Sequence, residues 1–221
     1  MPSTELLNNI DHKELKVRAE YSADLGDDIA STLTFITEFP EVQKEYPILF
    51  RKEPNAGNYQ AIVLFGFQKG ENLFLGEGGT GWNASYIPAA VARGPFLIGV
   101  QTQQENGQEL KVPMVHVDMT HPKISAEVGI PVFREKGGNS EYLDAISDTL
   151  NLIRDGMTSN VSMIEAFEKY ELIESVSIDI ELKNEEKYSL PGFFTINPEK
   201  LSELKGEALE HLAKQGFLKA A

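Results

Sequence analysis

The chain has 221 residues, 41% of them hydrophobic and 24% charged, with a formal net charge of −14. That size supports a sizeable core, and we expect a single domain over residues 1–221. The charge excludes nucleic acid and anionic membranes as natural partners, because both need clustered Lys and Arg, and the absence of cysteine excludes disulfide scaffolds, Cys-ligated zinc, iron–sulfur clusters and thiol catalysis.

Residues 1–9 lack the basic start and apolar centre of a secretion signal. No apolar run reaches the ~18–20 residues that span a bilayer. A cytoplasmic protein with no membrane span is therefore expected. Residues 15–21 alternate and read as a strand. Residues 38–46 read as a short helix, with Pro40 in its first turn and Pro47 as its stop. Residues 48–52 and 59–68 read as a hairpin around a turn at 54–58. A turn at 69–72 leads to a strand at 73–75.

Residues 76–81 hold four glycines in six positions. Their order matches neither a phosphate loop nor a dinucleotide fingerprint, so a surface turn is expected. Asn83 is placed to cap a helix over 84–93, with Tyr86, Ile87, Ala90 and Val91 as its apolar face. Strands follow at 96–101 and 112–118 across a turn at 105–108, and His121-Pro122 ends the second. The clearest helix runs from about Ser140 to Tyr170, capped by Asn139 or Ser140. Leu143, Ile146, Leu150, Ile153, Met157, Val161 and Ile164 recur there at steps of three and four. At ~1.5 Å per residue it is ~40 Å long, so its stripe needs a long partner surface, a sheet or an interface. Gly156 marks a bend or a close approach. Residues 176–182 and 188–196 make a C-terminal hairpin interrupted at Pro191-Gly192. Asn197-Pro198 starts a helix to Gln215, broken at Gly206 and stopped by Gly216. The pattern predicts an α+β fold: mainly antiparallel sheet packed by a long helix, with a C-terminal hairpin and helix.

Several of these segments together are familiar. Thr37-Glu38-Phe39, Glu45-Tyr46-Pro47-Ile48-Leu49-Phe50-Arg51-Lys52, Glu71-Asn72-Leu73-Phe74-Leu75, Arg93-Gly94-Pro95-Phe96-Leu97-Ile98-Gly99, His116-Val117-Asp118 with His121-Pro122, and Gly192-Phe193-Phe194-Thr195-Ile196 stand in that order. In them the chain resembles the SapC family of bacterial proteins over nearly its whole length. The family is named for a component associated with a surface layer. Its members are encoded near flavin-dependent tryptophan halogenase-like and cupin-like proteins, and usually carry a further helix. The resemblance implies no reaction and no catalytic residues.

The residues themselves nominate a short list of ligand-binding candidates. His116 and Asp118 share one face of a strand, with His121 close behind. A His-x-Asp pair plus a distant His is the spacing of the facial triad that holds non-haem Fe(II), and His12, His121 or His211 are the available third ligands. The plain alternative is a polar strand end whose side chains bond each other or the backbone. Arg51 and Arg93 are scarce cations beside apolar sequence. Each either pairs with a carboxylate, Glu38 or Glu45 being candidates, or awaits an anionic group. Trp82, the sole tryptophan, could line a flat pocket with Tyr86 and Tyr46, or simply pack. No Gly-x-Ser-x-Gly elbow supports a hydrolase. Three readings follow: a binding or accessory protein engaging a peptide or protein partner, a metal-dependent oxygenase or modification enzyme using His116 and Asp118, and a surface-layer structural component. No cofactor is assigned, and self-association stays open.

Overall fold

The computed structural model describes residues 3–54, 56–105 and 108–221. Met1 and Pro2 of the N-terminal stretch, Asn55 of the turn read at 54–58, and Asn106 and Gly107 of the turn read at 105–108 lie outside the described residues. In chain order the strands are β1 (Thr4–Leu6), β2 (Lys16–Val17), β3 (Ser31–Leu33), β4 (Ile48–Lys52), β5 (Tyr59–Leu64), β6 (Phe96–Glu105), β7 (Gln108–Asp118), β8 (Ile124–Ser125), β9 (Ile130–Pro131), β10 (Ile173–Glu181) and β11 (Lys187–Ile196). The α-helices are α1 (Phe39–Val42), α2 (Ala89–Ala92), α3 (Glu141–Lys169), α4 (Pro198–Glu203) and α5 (Gly206–Gln215). The expected α+β class holds, and every paired strand runs antiparallel. The strands form three sheets, however, instead of one main sheet.

Backbone contacts sort the chain into two compact units, each with its own core. The first comprises the chain up to Asp28 with Phe74–Arg154, and the second Ile29–Leu73 with Asp155–Ala221. In the first, β7 lies between β1 and β6, and a second, small sheet has the order β8-β2-β9. Its core joins Leu15, Val17, Phe96, Val117, Val132 and Phe133 with Leu143, Ile146 and Leu150 of α3. Alternation along β7 sends Val117 into that core, so His116 and Asp118 point to the opposite face. The helix expected at 84–93 shrinks to α2. Pro88 is its N-cap, and a residue preceding proline is driven out of helical geometry, so Tyr86 and Ile87 cannot join it. The strand expected at 73–75 is likewise absent, apart from one bridge between Leu75 and Trp82.

The second unit is built on the five-stranded sheet β10-β11-β4-β5-β3. The C-terminal hairpin is part of this sheet, joined where Phe193 and Phe194 pair with Arg51 and Phe50. The expected interruption at Pro191-Gly192 is a bulge: Val176 pairs with Phe193 and Ile178 with Leu190, so one residue of β10 faces two of β11. Gly192 takes a φ of 84° there, and proline tolerates the lost ladder bond at a bulge. The core gathers Phe39, Phe50, Ala61, Met163, Phe167, Leu172, Leu212 and Phe217. Asn197 Oδ1 accepts from the Lys200 N–H at 2.8 Å, starting α4 as its sequence demands.

Helix α3 starts at the expected cap, where Ser140 Oγ accepts from the Leu143 N–H at 3.2 Å. Its apolar stripe is followed only in part. Leu143, Ile146, Leu150 and Ile153 are buried, but Met157 and Val161 are 56% and 58% exposed. The buried line runs instead through Gly156, Met163 and Phe167, with half-buried Asn160 between them. Ile164, at the end of the stripe, is buried again, so the interruption is confined to Met157 and Val161. Gly156 is the close approach expected there: a Cβ at this position would overlap Phe35 and lie 2.7 Å from Thr37 Oγ1. One turn on, the Asn160 amide donates to Thr34 O at 2.9 Å and accepts from the Ile36 N–H at 2.8 Å. The helix thereby supplies to residues 34–36 the pairing that a neighbouring strand would.

Candidate functional site

His116 and Asp118 share a face of β7, but each is engaged elsewhere. The His116 ring lies across β6 at Gly99, where a Cβ would come within 2.7 Å of its Nδ1. That Nδ1 is 3.3 Å from Met114 O. Asp118 Oδ1 accepts from the N–H and Oγ1–H of Thr120, at 2.9 and 2.7 Å, closing the turn after the strand. These two bonds hold the carboxyl below its usual range, Thr120 Oγ1 first. His12 accepts from the Asn8 N–H through Nδ1 at 3.3 Å and faces Glu5 through Nε2 at 3.5 Å. His211 belongs to the second unit, 3.3 Å from Tyr170 Oη. Among the described residues no group of three His, Asp or Glu is arranged to hold a metal ion. Asp118 and His12 are bonded within their own turns, while His116 and His211 lie against Met114 O and Tyr170 Oη.

The remaining candidates of the first unit border a pair that the sequence did not announce. Lys123 Nζ lies 3.0 Å from Asp27 Oδ1, with side chains only 5% and 6% exposed. Asp27 Oδ2 accepts from the Ser22 N–H at 2.9 Å. The ammonium also stands 4.0 Å from the centre of the Tyr21 ring, within cation–π range, and Trp82 packs edge-on to Tyr21 with centroids 5.4 Å apart. Burial pulls the Lys123 pKa down despite Asp27, and burial, helped by Asp27, pushes the Tyr21 phenol up to about 12. His121 Nδ1 accepts from the Lys123 N–H at 3.1 Å, so its proton sits on Nε2. Burial first and Lys123 second lower its pKa, which keeps the ring neutral. Arg93 donates through Nη1 to Phe96 O at 2.7 Å, and burial lowers its pKa as well. Trp82 and His121 therefore adjoin a polar interior in which Lys123 is matched by Asp27, and Arg93 is held by the Phe96 carbonyl.

Arg51 lies in the second unit, half-buried on β4 opposite Gln60 and Phe193. Glu38 is buried and accepts from Thr34 Oγ1 at 2.9 Å and the Phe35 N–H at 3.2 Å. Tyr46 also belongs to this unit, buried and edge-on to Phe65 at 5.5 Å, while Tyr86 is half-buried in the first.

The second unit also carries a groove that none of these candidates lines. A groove of about 360 Å³ runs between α3 and the β3–β5 edge, walled by Met157, Val161 and Ile164 on one side and Leu33 and Tyr59 on the other. Glu53, Glu165 and Glu168 also line it, with no Lys or Arg. Lys52 Nζ lies 5.0 Å from the Tyr59 ring centre. Among the described residues none of the three carboxylates forms an ion pair. Sequence reasoning did not single out this groove, although Met157 and Val161 belong to the very stripe that was expected to meet a sheet or an interface.

The SapC family model matches residues 7–221, nearly the whole chain, and the chain belongs to that family. No curated protein and no solved structure matches it.

Proposed function

We propose that this SapC family member is a binding or accessory protein that engages a peptide or protein partner through the groove of its second unit. One observation carries the reading: Met157 and Val161 have core spacing on α3 yet stand 56% and 58% exposed, side by side on a concave wall. Exposed apolar side chains gathered in a groove, unlike scattered single ones, mark a surface that is covered in use. The groove also has the mixture that interfaces use, apolar anchors with charged groups at hand to set orientation.

Peptide display against the wild-type protein, with counter-selection on a Met157→Asp/Val161→Asp variant, tests this directly. The expected result is a family of peptides that bind the wild type in the micromolar range and lose the variant. Selection that enriches nothing, or peptides that bind both proteins alike, would remove the reading.

A further inference from the structure

The groove also specifies what kind of segment would fill it, an inference that rests on the binding reading above. We propose that the occupant is a cationic segment in extended conformation, which adds to the β5 edge at Tyr59 and sets Lys or Arg side chains against Glu53, Glu165 and Glu168. The extended form follows from the hydrogen-bond parity of β5. The Thr34 N–H donates to Ala61 O and the Phe65 N–H to Ala30 O, whereas the Glu53 N–H donates to Asn58 O and the Leu64 N–H to Pro47 O. Odd-numbered residues of β5 therefore turn their backbone groups toward the β3 side and even-numbered ones toward β4. Tyr59 is odd, so its N–H and C=O face the β3 side. There β3 has already ended at Leu33. The chain that would continue it is held by α3 instead, with the Ile36 N–H given to Asn160 Oδ1. A strand edge vacated in this way is a template for an incoming extended chain.

The charge of the occupant follows from the lining. Three carboxylates and no cation line the groove, in a chain of net charge −14. An acidic or neutral segment would leave them facing one another across the apolar floor, while a cationic one matches them and is steered inward by the whole molecule's field. The dimensions agree. From Met157 to Glu168 along α3 is about 16 Å at ~1.5 Å per residue, the reach of about five extended residues. Alternation of side chains along such a segment would direct every second one to Met157 and Val161.

The test uses the full chain and short synthetic peptides. The probe is acetyl-Lys-Val-Lys-Leu-Lys-Val-Arg-amide. Its controls are the same peptide with Glu at each basic position, a version N-methylated at alternate backbone nitrogens, and an isomer constrained to a helix by α-methyl residues. Binding is read by calorimetry at low and high salt. We expect the cationic extended peptide to bind, the acidic one to fail, added salt to weaken binding, N-methylation in one of the two alternate registers to abolish it, and Glu165→Lys/Glu168→Lys to cost about tenfold or more. Equal binding of the acidic peptide, or indifference to the charge reversal, would overturn the proposed charge. Preference for the helical isomer, or tolerance of N-methylation in both registers, would overturn the extended mode. Either result leaves the binding reading standing if displayed peptides still require Met157 and Val161. Failure of every probe together with failure of the display selection removes both.

Discussion

In the first unit Lys123 and Asp27 give up nearly all their hydration to each other, Nζ and Oδ1 3.0 Å apart with side chains 5% and 6% exposed. In the second, Glu53, Glu165 and Glu168 line an open groove beside Met157 and Val161. The same chemical groups thus serve two ends. The Lys123 pKa is lowered because lost hydration outweighs what Asp27 and Glu20 return. A pair of this kind is better understood as tying residues 22–27 to residues 121–124 in one register than as a source of net stability. Carboxylates left in water cost the fold little and remain available to a partner. Matched charge is buried inside the first unit, and unmatched charge stays beside exposed apolar surface in the second.

Urea denaturation would break this contrast most directly. Lys123→Met should cost about 3–5 kcal/mol by leaving Asp27 buried without its ammonium, whereas Lys123→Met with Asp27→Leu should recover most of the loss. A double variant as unstable as the single one would mean that the pair itself stabilises the fold. The groove wall offers the next largest effect. Asn160→Ala strips partners from Thr34 O and the Ile36 N–H and should cost about 2 kcal/mol. Gly156→Ala should cost about 1–3 kcal/mol by overpacking against Phe35. Both should also weaken peptide binding, because Asn160 and Phe35 shape the groove that Met157 and Val161 face.

Alkaline titration sharpens the first unit alone. The Tyr21 phenol ionises at about 12 in the fold against 10.0 ordinarily. Its contribution to stability is therefore complete below pH 10 and is lost as pH rises toward 12. The stability difference between wild type and Tyr21→Phe should shrink over that window, and a pH-independent difference would contradict a buried, Asp27-facing phenol. The smallest expected effect lies on the groove floor. Met157→Ser and Val161→Thr should each change stability by no more than about 0.5 kcal/mol while impairing binding. A loss above 1 kcal/mol would show that these side chains belong to the core after all.

Much of the architecture was legible because it is local. Ser140 and Asn197 cap helices that their own sequences begin, Gly216 ends α5 with a φ of 77°, and Pro191-Gly192 marks the bulge of β11. The site was less legible. His116 and Asp118 formed a readable motif, yet Gly99 and Thr120 absorb them. Lys123 and Asp27 formed no motif and meet only because the chain returns across 96 positions. Met157 and Val161 were visible in a stripe read as facing a sheet or an interface, and the choice stayed open because spacing along a helix does not say where its neighbours stop.

The sequence by itself determined the α+β class, the position of α3 and the family, because periodicity, caps and ordered motifs are properties of short segments. Tertiary structure alone decided that the strands divide among three sheets and that α3 turns its buried line from the Met157 side to Asn160. Burial is a relation between segments far apart in the chain. Which carboxylates are matched and which apolar side chains remain uncovered is therefore settled only when those segments meet.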